Sequence, residues 1–114
     1  HGGRVLDRAP ATLEVLPAVV AEVGGEADVL VDGGVRSAAD VAVAVALGAR
    51  AALIGRPVCW AVVDGRPGVA ALFGLFLAEF RRVLVATASP TVADLGPRML
   101  RPASFADLEA AVLS

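Results

Sequence analysis

The chain contains no lysine and no tyrosine, and its ten positive charges are all arginine. The missing lysine is read as a matter of composition and carries no mechanism. A single cysteine, Cys59, excludes an internal disulfide and fits a reducing compartment. Positive charge is not in excess: the net charge is -2, so no basic field speaks for nucleic acid. Long hydrophobic runs are missing too. The longest strongly apolar stretch, VAALFGLFLA (69–78), lies between Arg66 and Glu79 and falls short of the roughly 20 residues that span a bilayer. No targeting segment is recognisable, and no residue is assigned to a metal. Charged residues make up only 19% of the chain while hydrophobic ones reach 57%, against a usual share of about 45–50%. That excess implies surfaces that face other protein instead of water.

In ATLEVLPAVVAEV (11–23), Leu13, Leu16, Val20 and Val23 recur at helical spacing and share one face. Thr12 is the expected N-cap and Gly24-Gly25 the stop. Pro17 removes a backbone donor, so a kink or a late start is expected there. DVLVD (28–32) is short, β-branched and bounded by turn residues, which predicts a buried strand. GGVR (33–36) is a loop. Ser37 caps a second helix, AADVAVAVALG, with Asp40 in the capping-box position and Gly48 as the stop. AALI (51–54) predicts a second buried strand. GRP (55–57) follows it, with Pro57 suited to the first turn of another helix. A longer helix is expected over 68–86, another over SPTVADL (89–95) with Ser89 as cap, and a short one over FADLEAAVL (105–113). Cys59 and Trp60 are read as packing residues, and Arg81-Arg82 as a solvated helix face.

Helix, strand, helix, strand, helix with short connections means parallel strands joined by crossover helices. Two strands cannot make a stable parallel sheet covered on both faces. A complete (β/α)8 barrel needs about 250 residues, and the chain has 114. The expected fold is therefore α/β, the C-terminal part of a (β/α)8 TIM barrel with only its last strands and helices. Residues 1–114 then form the C-terminal portion of a single barrel domain whose N-terminal part is missing. A small doubly wound sheet is the rival, and it lacks strands as well.

Both strands run into glycine-containing loops, VDGGVRS and LIGRPV. In barrels the loops after the last two strands commonly form a phosphate site. Gly33, Gly34 and Gly55 let the backbone approach an anion closely and expose N–H groups. Helix N-termini behind the loops add partial positive charge. Arg36 and Arg56 offer planar forks suited to phosphate oxygens, and Asp32 can accept from a ligand hydroxyl. The plainer alternative is two tight turns with solvated arginines; two such loops after consecutive strands favour the phosphate. The chain opens HGGRVLD. If a strand ends just before His1, that histidine stands on the catalytic face, where a residue type that titrates near neutral pH suits a general base. Arg4 suits a substrate carboxylate. Asp7 reads as a local turn partner, and Arg8 as solvated.

Taken together, HGGRVLD, DGGVRSAADVAVAVALGA and LIGRPV strongly resemble the C-terminal part of the FMN-dependent 2-hydroxy acid oxidases and dehydrogenases. That family includes glycolate oxidase, lactate oxidase, mandelate dehydrogenase and 4-hydroxymandelate oxidase. The resemblance runs from His1 to about Arg82, in order and with the expected spacing. It implies FMN as cofactor and oxidation of a small-molecule 2-hydroxy acid to a 2-oxo acid. It makes His1 the catalytic base and Arg4 the substrate-carboxylate ligand. It makes Asp32, Gly33, Gly34, Val35, Arg36, Gly55 and Arg56 the residues that hold the FMN ribityl-phosphate. Val5 stands where the family motif has glutamine, and Ser37-Ala38 where it often has Arg-Gly. The family's flavin-binding lysine, second substrate arginine and active-site tyrosines lie upstream. The resemblance thus implies a chain inactive alone, with the missing N-terminal part of the barrel as its partner. It also implies a homo-oligomer, a tetramer, when full length. The expected location is cytoplasmic, with membrane association of the full-length protein left open. Other phosphate-binding barrels, such as IMP dehydrogenase, type 2 isopentenyl-diphosphate isomerase and glutamate synthase, carry similar glycine loops without HGGR and form the alternative. A non-catalytic assembly module that binds no flavin is a third reading.

Overall fold

The computed structural model describes residues 5–101. Its elements run α1 (Thr12–Val23), β1 (Leu30–Val31), α2 (Ala38–Ala46), β2 (Ala51–Ala52), α3 (Arg56–Ala61) and α4 (Gly65–Ala86). Single 3-10 turns occupy Val62–Asp64, Val92–Asp94 and Pro97–Met99. His1, Arg4 and the helix expected over 105–113 lie outside the described residues.

The apolar spacing of α1 does what it predicts. Leu16 is buried and Leu13, Val20 and Val23 half-buried, while Glu14, Val15, Ala18 and Val19 are exposed. The helix runs through Pro17 instead of starting after it. Its N-cap is Ala11, not Thr12, and the Glu14 carboxylate accepts from the Ala11 N–H at 3.1 Å. That bond satisfies a donor at a helix start whose cap residue has no polar side chain. At the other end Gly24 adopts the left-handed conformation.

β1 and β2 pair in parallel, Leu30 opposite Ala51 and Val31 opposite Ala52. Both are shorter than the segments 28–32 and 51–54 from which they were expected. The pairing nevertheless carries past them: the Arg50 N–H donates to the Val29 carbonyl at 2.7 Å and the Leu53 N–H to the Val31 carbonyl at 2.8 Å. Between the strands, α2 makes the crossover that a parallel pair requires. Ser37 caps it as expected. Its hydroxyl accepts from the Asp40 N–H at 3.2 Å. One Asp40 carboxylate oxygen accepts from the Arg36 N–H, the Ser37 N–H and the Ser37 hydroxyl, each at 2.9 Å.

Leu16, Val31, Val35, Ala44 and Ala49 form the buried centre, with Val29, Ala52 and Ile54 of the strand segments packed on it. A second cluster joins Ala42, Ala46 and Leu95 to Phe80, Val83 and Leu84 of α4. Alanine supplies most of the buried apolar positions, so α2 lies close to both the strands and α4. Coverage is one-sided. Val31 is 3% exposed, but its neighbour Leu30 is 57% and Leu53 47% exposed. Successive strand residues point to opposite faces; one face packs on the helices and the other presents leucine to solvent.

Three expectations give way. The helix over 89–95 does not form. Ser89 is buried and accepts from the Thr87 hydroxyl at 3.1 Å. The Val92–Asp94 turn is capped by Thr91, whose N–H and hydroxyl both donate to Asp94 at 2.7 Å, so a Thr-x-x-Asp box overrides the Ser-Pro signal. Cys59 and Trp60 are exposed instead of packed. In α3 the buried residue is Pro57; at 3.6 residues per turn Cys59 falls on the opposite side of the helix, while Trp60, nearer the Pro57 side, is still 63% exposed. Finally, α4 starts at Gly65, earlier than the predicted 68. A Cβ at Gly68 would collide with the Ala61 carbonyl oxygen and lie 2.8 Å from the Asp64 Cβ; only glycine fits this corner between α3 and α4. No helix among the described residues is long and apolar enough to cross a membrane.

Burial works against the charge on Asp40, but hydrogen bonds from the Arg36 N–H, the Ser37 hydroxyl and the Ser37 N–H outweigh it. The carboxyl is held below its usual value near 3.8. A carboxyl depressed in the folded state stabilises fully above its unfolded value and loses that contribution as the pH falls through the folded one. Asp40→Ala is expected to lower stability by about 1 kcal/mol near neutral pH, with the gap to wild type closing below about pH 4; urea unfolding of both proteins across that range checks it. Gly68→Ala is expected to cost about 1–3 kcal/mol through overpacking, read as a fall in Tm, and an unchanged Tm would show that the corner yields.

Candidate functional site

Because β1 and β2 are parallel neighbours, the segments leaving their carboxyl ends emerge side by side from strands about 4.8 Å apart. In α/β folds ligands sit beyond that edge. Asp32 follows β1 directly and is exposed. Gly33 and Gly34 have φ of 103° and 82°, conformations that a residue with a Cβ rarely adopts. Val35 is 5% exposed and belongs to the core; its side chain anchors the loop. Arg36 is exposed.

On the neighbouring loop, Gly55 and Arg56 are both exposed. The Gly55 carbonyl accepts from the Val58 and Cys59 N–H groups at 2.9 and 3.2 Å, which starts α3. A Cβ built at Gly34 or Gly55 meets nothing within 4 Å, so the space next to both loops is open. The fold thus brings Asp32, Gly33, Gly34, Arg36, Gly55 and Arg56 to one edge. Among the described residues no cluster of three or more His, Cys, Asp or Glu side chains is placed to hold a metal.

Behind the first loop, where the N-terminus of α2 is expected to add partial positive charge, the N–H groups of Arg36, Ser37 and Ala38 are engaged within the chain. Arg36 and Ser37 donate to Asp40, and Ala38 donates to the Glu79 carboxylate of α4 at 2.9 Å. Two carboxylates of the chain occupy the place that the helix end would offer an anion.

Two supporting residues escaped the sequence reading. The Thr12 hydroxyl donates to the Gly33 carbonyl at 3.3 Å, tying α1 to the first loop. Glu79 is the other. Its signal was present: it is the one charged residue between Val69 and Phe80.

The FMN-dependent dehydrogenase family model matches residues 1–102. L-lactate oxidase of Nostoc sp. is 43% identical over 101 residues, which cover 88% of this chain and 28% of the relative. Pre-mycofactocin synthase of Mycobacterium tuberculosis is 42% identical over 107 residues, covering 92% of this chain and 27% of the relative. The crystal structure of mandelate oxidase with (S)-2-phenylpropionate is 46% identical and superposes with a TM-score of 0.75 over 82% of this chain and 28% of that one. The chain therefore spans little more than a quarter of the length of these relatives. Its fold matches part of a (β/α)8 barrel, that of mandelate oxidase. With the family model matched over nearly the whole sequence and the glycine loops at one strand edge, this chain belongs to the FMN-dependent dehydrogenases.

Proposed function

We propose that the chain supplies the phosphate-holding loops, the catalytic base and a substrate-carboxylate arginine of an FMN-dependent enzyme that oxidises a 2-hydroxy acid to a 2-oxo acid. The supporting observation is the juxtaposition of the two glycine loops by the β1–β2 pairing. The residues fit a flavin phosphate. Gly33 and Gly34 hold positive φ, the space beside Gly34 and Gly55 is open, and the exposed Arg36 and Arg56 carry permanent positive charge.

FMN, when bound, takes up the two electrons that leave C2 of the substrate. The protein's own residues do the rest. Arg36 and Arg56 pair with phosphate oxygens, and the backbone of Gly33, Gly34 and Gly55 lets the anion come close. Asp32 accepts from a ribityl hydroxyl. Val35 holds the loop to the core. Arg4 grips the substrate carboxylate through two parallel hydrogen bonds. His1 takes the proton that the substrate gives up as it is oxidised.

The chain works as the C-terminal portion of one barrel domain. The exposed Leu30 and Leu53 are the positions that the rest of the barrel covers. Alone the chain is inactive; full length it is a cytoplasmic homo-oligomer. A second reading rests on the 42% identity to pre-mycofactocin synthase: an FMN enzyme of the same family with a different substrate.

The test is a chimera in which residues 1–101 replace the matching segment of mandelate oxidase. Flavin absorbance is followed as L-lactate, glycolate or (S)-mandelate is added. Bound FMN that one of these acids bleaches is the expected result. His1→Ala should keep the flavin and slow bleaching by at least about 100-fold. Arg4→Met should raise the KM for the acid by roughly tenfold or more, the loss of a charge-assisted hydrogen bond. FMN that no hydroxy acid bleaches favours the second reading, and a soluble, folded chimera without flavin overturns both.

A further inference from the structure

We infer that Glu79 is a positioning residue for the flavin phosphate: it fixes the two glycine loops relative to each other. The inference rests on the FMN reading above and assigns a role to a side chain that touches neither cofactor nor substrate.

Glu79 is an odd residue for its place. It is the only carboxylate in α4 and sits between Phe76, Ala78 and Phe80. Phe76 and Phe80 join Ala38, Val41, Ile54 and Phe73 around an apolar cleft of about 240 Å³. A half-buried carboxylate beside such a surface is costly unless it is hydrogen-bonded. Here it is: Glu79 Oε2 accepts from the Ala38 N–H at 2.9 Å. Ala38 is 1% exposed, so this carboxylate meets a donor that solvent does not reach. The contact joins residues 41 positions apart in the chain.

The two ends of the bond lead to the two loops. Ala38 is the first residue of α2 and follows directly on the Gly33–Ser37 segment. Glu79 lies on α4, reached from Gly55 and Arg56 through α3 and the Val62–Asp64 turn. These three elements pack against one another, and Gly68 closes the corner between them. The β1–β2 pairing joins the loops at strand level; the Ala38–Glu79 bond joins them again at helix level. One connection alone leaves a hinge between the loops. Two separated connections set both their spacing and their orientation, which a tetrahedral anion shared between Arg36 and Arg56 requires. The charge suits the place as well, since a carboxylate is favoured at a helix N-terminus.

The experiment uses the same mandelate oxidase chimera and measures Kd for FMN and for riboflavin, which lacks the phosphate. Glu79→Leu is expected to weaken FMN binding by roughly tenfold, the equivalent of one charge-assisted hydrogen bond, while riboflavin binding stays within about twofold. Glu79→Gln keeps an acceptor oxygen and should restore most of the preference for FMN. Should Glu79→Leu fail to fold, Glu79→Asp replaces it: the charge remains but the carboxylate is one methylene short of Ala38, and the same selective loss is expected. Equal losses for both flavins, or an unchanged FMN-to-riboflavin ratio, would overturn the positioning role and leave the FMN reading intact. A wild-type chimera that binds neither flavin would overturn the FMN reading, and the role of Glu79 with it.

Discussion

The pairing of Val31 with Ala52 is the contact on which the rest of the structure hangs. It makes the strands parallel and adjacent, which forces α2 to cross over one face and brings both carboxyl ends to the same edge. Had the strands paired antiparallel, the Asp32–Arg36 and Gly55–Arg56 loops would lie at opposite ends of the sheet. The two glycine segments would then be unrelated turns. The meeting of the two loops at this edge is therefore a consequence of strand direction before it is a consequence of any side chain.

Packing around that pair is unequal. On the helix side small residues let the layers approach: Ala42, Ala44 and Ala46 of α2 are each less than 5% exposed. On the other side Leu30 and Leu53 stand open, and a parallel sheet ordinarily has both faces covered. The hydrophobic excess of the composition is accounted for in this way. It is apolar surface on the strand face that the helices leave uncovered. The loops are better supported than the strands that carry them. Val35 anchors the first loop into the core, Thr12 ties it to α1, and Asp40 and Glu79 close the helix end behind it.

Features written within a few residues were legible in the sequence. The Ser37–Asp40 box, the Gly48 stop, the apolar face of α1 and the Gly33-Gly34 turn each depend on a spacing of four residues or fewer, or on a backbone conformation one residue type prefers. The failures have two physical origins. Some were contests between local signals: Ser89-Pro90 and Thr91–Asp94 both announce a helix start, and only burial of Ser89 decides against the first. Others were long-range. The Thr12–Gly33 and Ala38–Glu79 contacts span 21 and 41 residues, and no periodicity encodes them. The same applies to Cys59 and Trp60, whose exposure depends on which side of a six-residue helix meets its neighbours. For the candidate site, the loop residues were visible as types and spacings. That the N–H groups opening α2 are engaged by the chain's own carboxylates was visible only in three dimensions.

The strand–helix–strand unit from Leu30 to Arg56 has a meaning for inheritance. Both glycine loops, the crossover between them and the Ser37–Asp40 cap fall within one uninterrupted stretch of chain. The contacts to be re-made when such a stretch is moved whole are those of Thr12 and Glu79, the apolar seats of α1 and α4, and the cover over Leu30 and Leu53. A unit of this kind can pass between barrels as a single cassette, by recombination or by duplication, while segments elsewhere diverge. One strand pair shared by proteins with different substrates is what such a history would leave behind.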